Sequence, residues 1–278
     1  MAYPPSLLEK IMTPGEVRSI YQPIFRMSES ETEIFALESL TRGPRGTNIE
    51  SADVLFEYAR RKRKEDVVDL TCLKSAIRNA VALPNFGKLF VNVHASTMAK
   101  NQCFVDSLEC ICSFFSFPPS NLVIEVIEHS PYWDRGEFVL STRRLRELGV
   151  QIAVDDLGVA YSSFKVILDV NPDYLKIDMY ITRGCHNDRI RRSMIESFLL
   201  LGRDAGAELI AEGMEDAQDL HTLQSMGIPM FQGYLLAKPQ PAEQLTKLLE
   251  NSEDAFRNLG RQFPLPMGDY PTEYAVNS

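Results

Sequence analysis

Eight short runs of apolar, β-prone residues recur along the chain, at positions 19–25, 33–38, 88–93, 121–127, 150–155, 173–177, 207–211 and 228–232. Most are separated by stretches in which apolar residues return at helical spacing, clearest at 52–64, 69–83, 136–148, 188–205 and 217–226. Strand then helix, repeated to a count near eight, predicts an α/β chain closed as a (β/α)8 barrel of the TIM type. Only about seven residues separate the first two runs, too few for a crossover helix, so a hairpin joins them. The first strand pair is therefore expected to be antiparallel. In 188–205, Ile190, Met194, Ile195, Phe198 and Leu201 share one helical stripe, expected to pack in the core.

No linker divides the barrel region, so residues 1–18 read as a lead-in segment and 19–250 as one barrel domain. Pro264, Pro266, Gly268 and Pro271 make 251–278 read as an irregular tail. With 278 residues, 45% of them hydrophobic, the chain can bury an active site without disulfide or metal staples. A net charge of -9 argues against duplex nucleic acid as a partner, which needs a broad basic surface. A small phosphate ligand stays compatible, because a bound metal ion reverses the local field. No run approaches the roughly 20 apolar residues of a membrane helix, so membrane insertion is not expected. The N-terminus carries Glu9 and no signal-like apolar run. The five cysteines are scattered and odd in number, which suits free thiols and a cytoplasmic protein.

Polar residues fall at one place on nearly every strand. Glu38 ends the second run, Asn92 and Glu125 sit late in the third and fourth, and Asp155 and Asp156 end the fifth. Lys176 and Asp178 end the sixth, Glu212 the seventh and Gln232 the eighth. Barrel enzymes build their sites at the C-terminal mouth from such strand ends. A helix cap or a solvated turn accounts for one such residue. Crowding on so many strands requires compensation, and a hard divalent cation with oxygen ligands supplies it. His94, His129, His186 and His221 lack zinc spacing and are expected to be structural or surface residues. The pattern therefore points to a hydrolase or lyase using Mg²⁺ or Mn²⁺, and two ions about 4 Å apart would suit phosphoester cleavage. Lys176 would orient a water or neutralise a phosphate, and Glu212 would take the water's proton. Composition and spacing do not name the substrate.

At these residues the chain resembles the EAL domain family, cyclic-di-GMP phosphodiesterases of bacteria. The motifs run in the family order: Tyr21-Gln22-Pro23-Ile24, Glu38-Ser39-Leu40-Thr41-Arg42, Val91-Asn92, Glu125-Val126-Ile127-Glu128, and Asp155-Asp156-Leu157-Gly158. Leu175-Lys176-Ile177-Asp178, Ala211-Glu212-Gly213-Met214-Glu215 and Gln232-Gly233-Tyr234 follow. The resemblance implies that Glu38, Asn92, Glu125 and Asp155 are metal ligands and that Asp156 holds a second metal. It implies that Lys176 orients the catalytic water and that Glu212 is the general base or a further ligand. Gln22 and Arg42 would bind the guanine and phosphate parts of the substrate. Asp178, Gln232 and Glu215 would line and support the pocket, and Glu128 would anchor the loop after the fifth strand. The implied reaction is metal-dependent hydrolysis of cyclic-di-GMP to linear pGpG, and the implied assembly a homodimer.

Three departures from the family pattern stand out. The loop after Asp156 reads Leu157-Gly158-Val159-Ala160-Tyr161-Ser162-Ser163, without the usual threonine and second glycine. That changes hydrogen bonding and backbone freedom where the family couples metal binding to pairing. Ile127 replaces a threonine, and Ser39 replaces the alanine of the naming motif. A non-catalytic cyclic-di-GMP receptor acting through a partner is the competing expectation. The complete set of acidic and basic residues favours the enzyme.

Overall fold

The computed structural model describes residues 6–28, 31–84, 86–100, 102–127, 134–159 and 163–250. Its eight strands close into a barrel in chain order. The first two, β1 (Arg18–Met27) and β2 (Thr32–Arg42), are antiparallel, paired from Arg18 opposite Arg42 to Met27 opposite Thr32 with a one-residue register shift between Ile24 and Phe25. Strands β3 (Lys88–His94), β4 (Leu122–Ile127), β5 (Gln151–Leu157), β6 (Tyr174–Ile177), β7 (Glu208–Ala211) and β8 (Met230–Phe231) continue from β2 in parallel. The last strand, β8, closes the barrel by pairing antiparallel with β1. The short first connection thus leaves β1 as the one inverted stave, as the spacing predicts.

The interior has two storeys, and strand alternation builds both. The lower storey is apolar and takes one residue from each strand: Ile24, Ala36, Phe90, Val123, Ala153, Tyr174, Ile210 and Met230, all buried. Phe35 lies against Phe90 and Tyr174 at 6.5 and 5.7 Å, and Arg26 covers Phe35. Side chains on one strand face recur every second residue. Two residues toward the mouth from each floor residue stand Gln22, Glu38, Asn92, Glu125, Asp155, Lys176, Glu212 and Gln232. The intervening residues, such as Leu37, Val91, Ile124 and Leu175, turn outward into the main core under the helices.

The helices of that outer layer carry clear start signals. The side chain of Asp134 caps α6 (Arg135–Glu147) through Glu137 N, and Asp216 caps α10 (Ala217–Ser225) through Gln218 N. Asp188 caps α9 (Arg189–Ala205), which ends on Gly206 in the left-handed region. These caps satisfy amides that have no partner within the helix. On the β2 side, α2 (Ala52–Lys62) and α3 (Glu65–Ala80) lead to β3, and α4 (Ala95–Met98) and α5 (Gln102–Phe115) follow it. Outside β5 and β6 lie α7 (Ser163–Val170) and α8 (Met179–Thr182), and α11 (Ala242–Glu250) follows β8.

Three expectations change. Residues 1–18 include a short capped helix, Leu7–Met12, whose Ile11 joins Val17, Ile49, Leu55 and Val68 in a small satellite core. Within the stripe on α9, Ile195 and Phe198 are buried but Ile190 is 74% exposed. Ile190 lies in the first turn, next to the Asp188 cap, where the helix has not yet met the sheet. Glu38 does not end its strand, because the β1 hairpin carries β2 on to Arg42. It stands at the barrel mouth nonetheless, since parallel pairing with β3 stops one residue later at Ser39. The tail 251–278 lies outside the described residues.

Candidate active site at the barrel mouth

Lys176 organises the upper storey. Its side chain is 1% exposed, and its ammonium lies 2.7 Å from Glu125, 2.7 Å from Glu212, 3.3 Å from Glu38 and 3.6 Å from Asp155. Four acidic strand residues therefore converge on one cation. Glu38 is also tied at both oxygens, to Asn92 Nδ2 at 3.2 Å and Gln232 Nε2 at 2.7 Å. Glu125 is fully buried, and among the described residues its Oε2 accepts no hydrogen bond.

The apolar floor keeps water from beneath this cluster, so charge is expensive there. Burial pushes the Glu125 carboxyl well above its usual range, the Glu38 charge adds to it, and Lys176 offsets only part. Burial likewise raises Asp155 against the pull of Lys176, and lifts Glu212 to about 8. Burial alone would also raise Glu38, but Lys176 and the Gln232 and Asn92 hydrogen bonds outweigh it and hold it low. Burial works to discharge Lys176, yet Asp155, Glu125, Glu212 and Glu38 together keep its ammonium charged well above the usual range.

Asp156 enters by a different device. Strict alternation would send Asp155 and Asp156 to opposite faces of β5. The register between β5 and β6 shifts between Val154 and Leu157, and Asp156 has φ +56. A non-glycine residue held there stores about 1–3 kcal/mol of strain. Asp156 N donates to Asp155 Oδ1 at 2.9 Å. Burial, then the charges of Asp155 and Asp178, raise the Asp156 carboxyl to about 6.

The other expected residues lie around this cluster rather than in it. Gln22 stands opposite Glu38 in the β1–β2 register, and its amide donates to the Ala237 carbonyl at 3.1 Å. Arg42 donates to the Thr41 carbonyl at 2.8 Å. Asp178 caps α8 through Tyr180 N. Glu215 is half-exposed and ion-paired to Arg183. Glu128 and residues 160–162 of the altered loop lie outside the described residues. Two glycines hold the rim: Gly213 has φ +68, and a Cβ on Gly233 would lie 2.2 Å from Met214 N. Sequence reasoning missed the supports. Thr182 Oγ1 donates to the Glu212 carbonyl at 2.6 Å, and Arg183 reaches both Gly213 and Glu215. Neither residue shows any periodicity or motif that would have marked it.

The donors suit a hard divalent cation. They are carboxylate and amide oxygens, one ammonium faces four acids, and a buried Glu125 oxygen lacks a donor. Among the described residues the acids converge on Lys176, and no three of them form a ready metal cage. The ligands expected from the sequence, Glu38, Asn92, Glu125 and Asp155, are neighbours in this storey.

An EAL domain model matches residues 6–239. Among sequence relatives, the probable cyclic di-GMP phosphodiesterase PdeG of Escherichia coli (strain K12) is 28% identical over 252 residues, covering 89% of this chain and 49% of that protein. The probable cyclic di-GMP phosphodiesterase PdeD of the same organism is 31% identical over 140 residues, covering 50% of this chain and 26% of that protein. The chain thus spans half or less of these curated relatives. Among solved structures, the standalone versatile EAL protein from Vibrio cholerae O395, in its c-di-GMP bound form, superposes with a TM-score of 0.71 at 28% identity, covering 81% of this chain and 93% of that one. The EAL domain protein from Listeria monocytogenes EGD-e shares the fold, with a TM-score of 0.76 at 23% identity over 90% of this chain and 99% of that one. With residues 6–239 matched and the same closed barrel beneath the motifs, this chain belongs to the EAL domain family.

Proposed function

We propose that this chain is a metal-dependent phosphodiesterase that hydrolyses cyclic-di-GMP to linear pGpG. The observation that carries the reading is the convergence of Glu38, Glu125, Asp155 and Glu212 on Lys176 above an apolar floor. The names of the relatives and the cyclic-di-GMP bound neighbour support the substrate. Glu38, Asn92, Glu125, Asp155 and Asp156 would hold Mg²⁺ or Mn²⁺, two ions in all. Bound there, the ions would supply water activation and neutralise charge on the phosphate oxygens.

The protein's own groups account for the rest. Glu212, at the mouth beside Lys176, would accept the proton of the attacking water in its ionised form, which bound cations favour. Lys176 stays charged, in direct contact with Glu212, and would donate to the attacking water beside it. The water oxygen bonds to phosphorus as its proton passes to Glu212, the bond from phosphorus to the ribose 3′ oxygen breaks, and that oxygen leaves as an alkoxide that takes a proton from solvent. Gln22 and Arg42, on the hairpin that rises past the mouth, bind the guanine and phosphate groups, with Gln232, Asp178 and Glu215 shaping the pocket.

A homodimer fits the surface outside β5 and β6. Phe164, Leu168, Tyr180 and Ile190 are exposed on α7, α8 and α9, with Leu168 at 84%. Such apolar exposure supports the reading that this face pairs with a second copy. Leu168→Asp should halve the mass by light scattering, and an unchanged mass would remove this surface from the assembly.

The deciding experiment incubates the protein with cyclic-di-GMP and Mg²⁺ or Mn²⁺ and resolves the products. Accumulation of pGpG, abolished by chelator, is the expected result. Binding without turnover at saturating metal would leave a receptor in place of an enzyme.

A further inference from the structure

Asn92 stands on a strand end that the sheet supports from one side only. Parallel pairing of β2 with β3 ends at Ser39 opposite Val91. From Asn92 to His94 the strand is paired only with β4, through Glu125, Val126 and Ile127. The β2 ladder thus ends at the peptide joining Val91 to Asn92 and, among the described residues, gives Val93 and His94 no backbone partner.

A buried carboxylate stands at that point. Asp69, on α3, is 0% exposed and accepts from His94 N at 3.1 Å, from the His94 ring at 2.9 Å and from Thr97 Oγ1. His94 closes β3, Thr97 lies on α4, and both are buried. The Phe56 ring on α2 packs against the His94 ring at 5.1 Å. A carboxylate this deep persists only with its charge compensated, and here its three donors lie on His94 and Thr97. The network therefore ties α3 to the turn two residues beyond Asn92.

We propose that Asp69, acting through His94 and Thr97, is a positioning residue that fixes Asn92 for binding a divalent cation. The proposal rests on the metal-dependent reading of the mouth. Asn92 donates to Glu38 with its Nδ2, which leaves the amide oxygen to face a cation. Its aim depends on the β3 end staying down, and Asp69 is the group that holds it there. Outer hydrogen-bond partners that orient a ligand typically change metal affinity by about 10–100-fold. Asp69 works at one remove, through backbone, so the lower end of that range applies.

The test measures Mn²⁺ affinity by calorimetry on the whole chain without substrate. Asp69→Asn should bind Mn²⁺ about tenfold more weakly. Leu223→Ala, a buried change on α10, should lower the melting temperature yet leave Mn²⁺ affinity within about twofold, because it touches no part of this network. In an Asn92→Ala background the Asp69→Asn change should add less than about twofold, since the group it positions is gone. Parent-like Mn²⁺ affinity in Asp69→Asn, or a full additional loss without Asn92, overturns the proposal. Should Asp69→Asn fail to fold, Thr97→Val removes one donor alone. It should weaken Mn²⁺ about threefold, and parent-like affinity overturns the proposal equally. A parent that binds no Mn²⁺ would bring down the metal-dependent reading and this inference together. A parent that binds it beside an unaffected Asp69→Asn brings down only the inference.

Discussion

The ammonium of Lys176 lies 2.7 Å from the carboxylate of Glu212, the first wholly enclosed by the barrel and the second facing its mouth. Groups that act on the attacking water do so mainly in the transition state, so their loss should depress turnover more than affinity. Glu212→Gln and Lys176→Ala should each lower kcat by at least about 10²-fold. Both should bind cyclic-di-GMP within about tenfold of the parent, or roughly 1.4 kcal/mol. Kinetics and calorimetry on the same preparations check this. If the pair merely closed the mouth, the melting temperature would fall while turnover in the cold stayed near the parent's.

The same cluster sets a pH dependence for chelator-treated protein. Burial raises the Glu212 carboxyl from an ordinary 4.5 to about 8 in the folded chain, and it raises Glu125 well above the usual range as well. Between those limits the folded state holds more protons than the unfolded one, so stability falls as pH rises through that window. Mg²⁺ favours the ionised carboxylates and should flatten or reverse the trend. Urea midpoints at pH 5 and pH 8 in chelator should drop with pH. A midpoint that rises would show that Lys176 alone compensates the acids.

Much of this architecture is written in the alternation of the strands. Phe90 then Asn92, Val123 then Glu125, and Tyr174 then Lys176 each repeat one step from apolar floor to polar mouth. Period-2 patterning conveys that step directly, and the short first connection conveys the inverted β1. What the pattern cannot convey is contact between distant segments. The tie from Asp69 to His94 spans 25 residues and that from Arg183 to Glu215 spans 32. Each depends on how helices settle on the barrel, which local periodicity does not encode. Exposure of Ile190 was hidden likewise, because a helical stripe does not tell where the sheet beneath it ends.

A second carboxylate anchors the rim below Glu215. Asp219 accepts from Gly184 N at 2.8 Å, His186 N at 3.1 Å and the His186 ring at 2.7 Å. Burial works to raise its carboxyl, but those hydrogen bonds outweigh it and hold it below the usual 3.8. A lowered carboxyl contributes stability that is present above the unfolded value and lost as pH falls through the folded one. Asp219→Asn should therefore cost about 1–3 kcal/mol at pH 7. Its deficit against the parent should shrink once the pH drops below the folded value. Denaturation curves at both ends of that range check it, and a deficit independent of pH would place the loss in packing rather than charge.

Gln22 and Arg42 share the β1–β2 hairpin but sit in different environments, and their variants should separate accordingly. Gln22 is 8% exposed and bonds the Ala237 carbonyl, beside the point where Tyr21 and Gln240 bridge β1 to the segment after β8. Arg42 is half-buried, donates to the neighbouring Thr41 carbonyl, and has no ion pair among the described residues. Turning its guanidinium to an anion breaks no ion pair among the described residues. Arg42→Ala should weaken cyclic-di-GMP binding by about 1–3 kcal/mol and leave the melting temperature unchanged. Arg42→Lys should restore only part of the loss, since an ammonium cannot grip a phosphate through two parallel hydrogen bonds. The parent's advantage over Arg42→Ala should narrow as salt rises, because a phosphate contact at the rim is screened. Gln22→Ala should lose affinity in the same range but melt lower, because it also releases the strap from Ala237. Calorimetric affinity at two salt concentrations and a melting curve for each variant decide the matter. Two variants with parent-like affinity would move the substrate away from this hairpin.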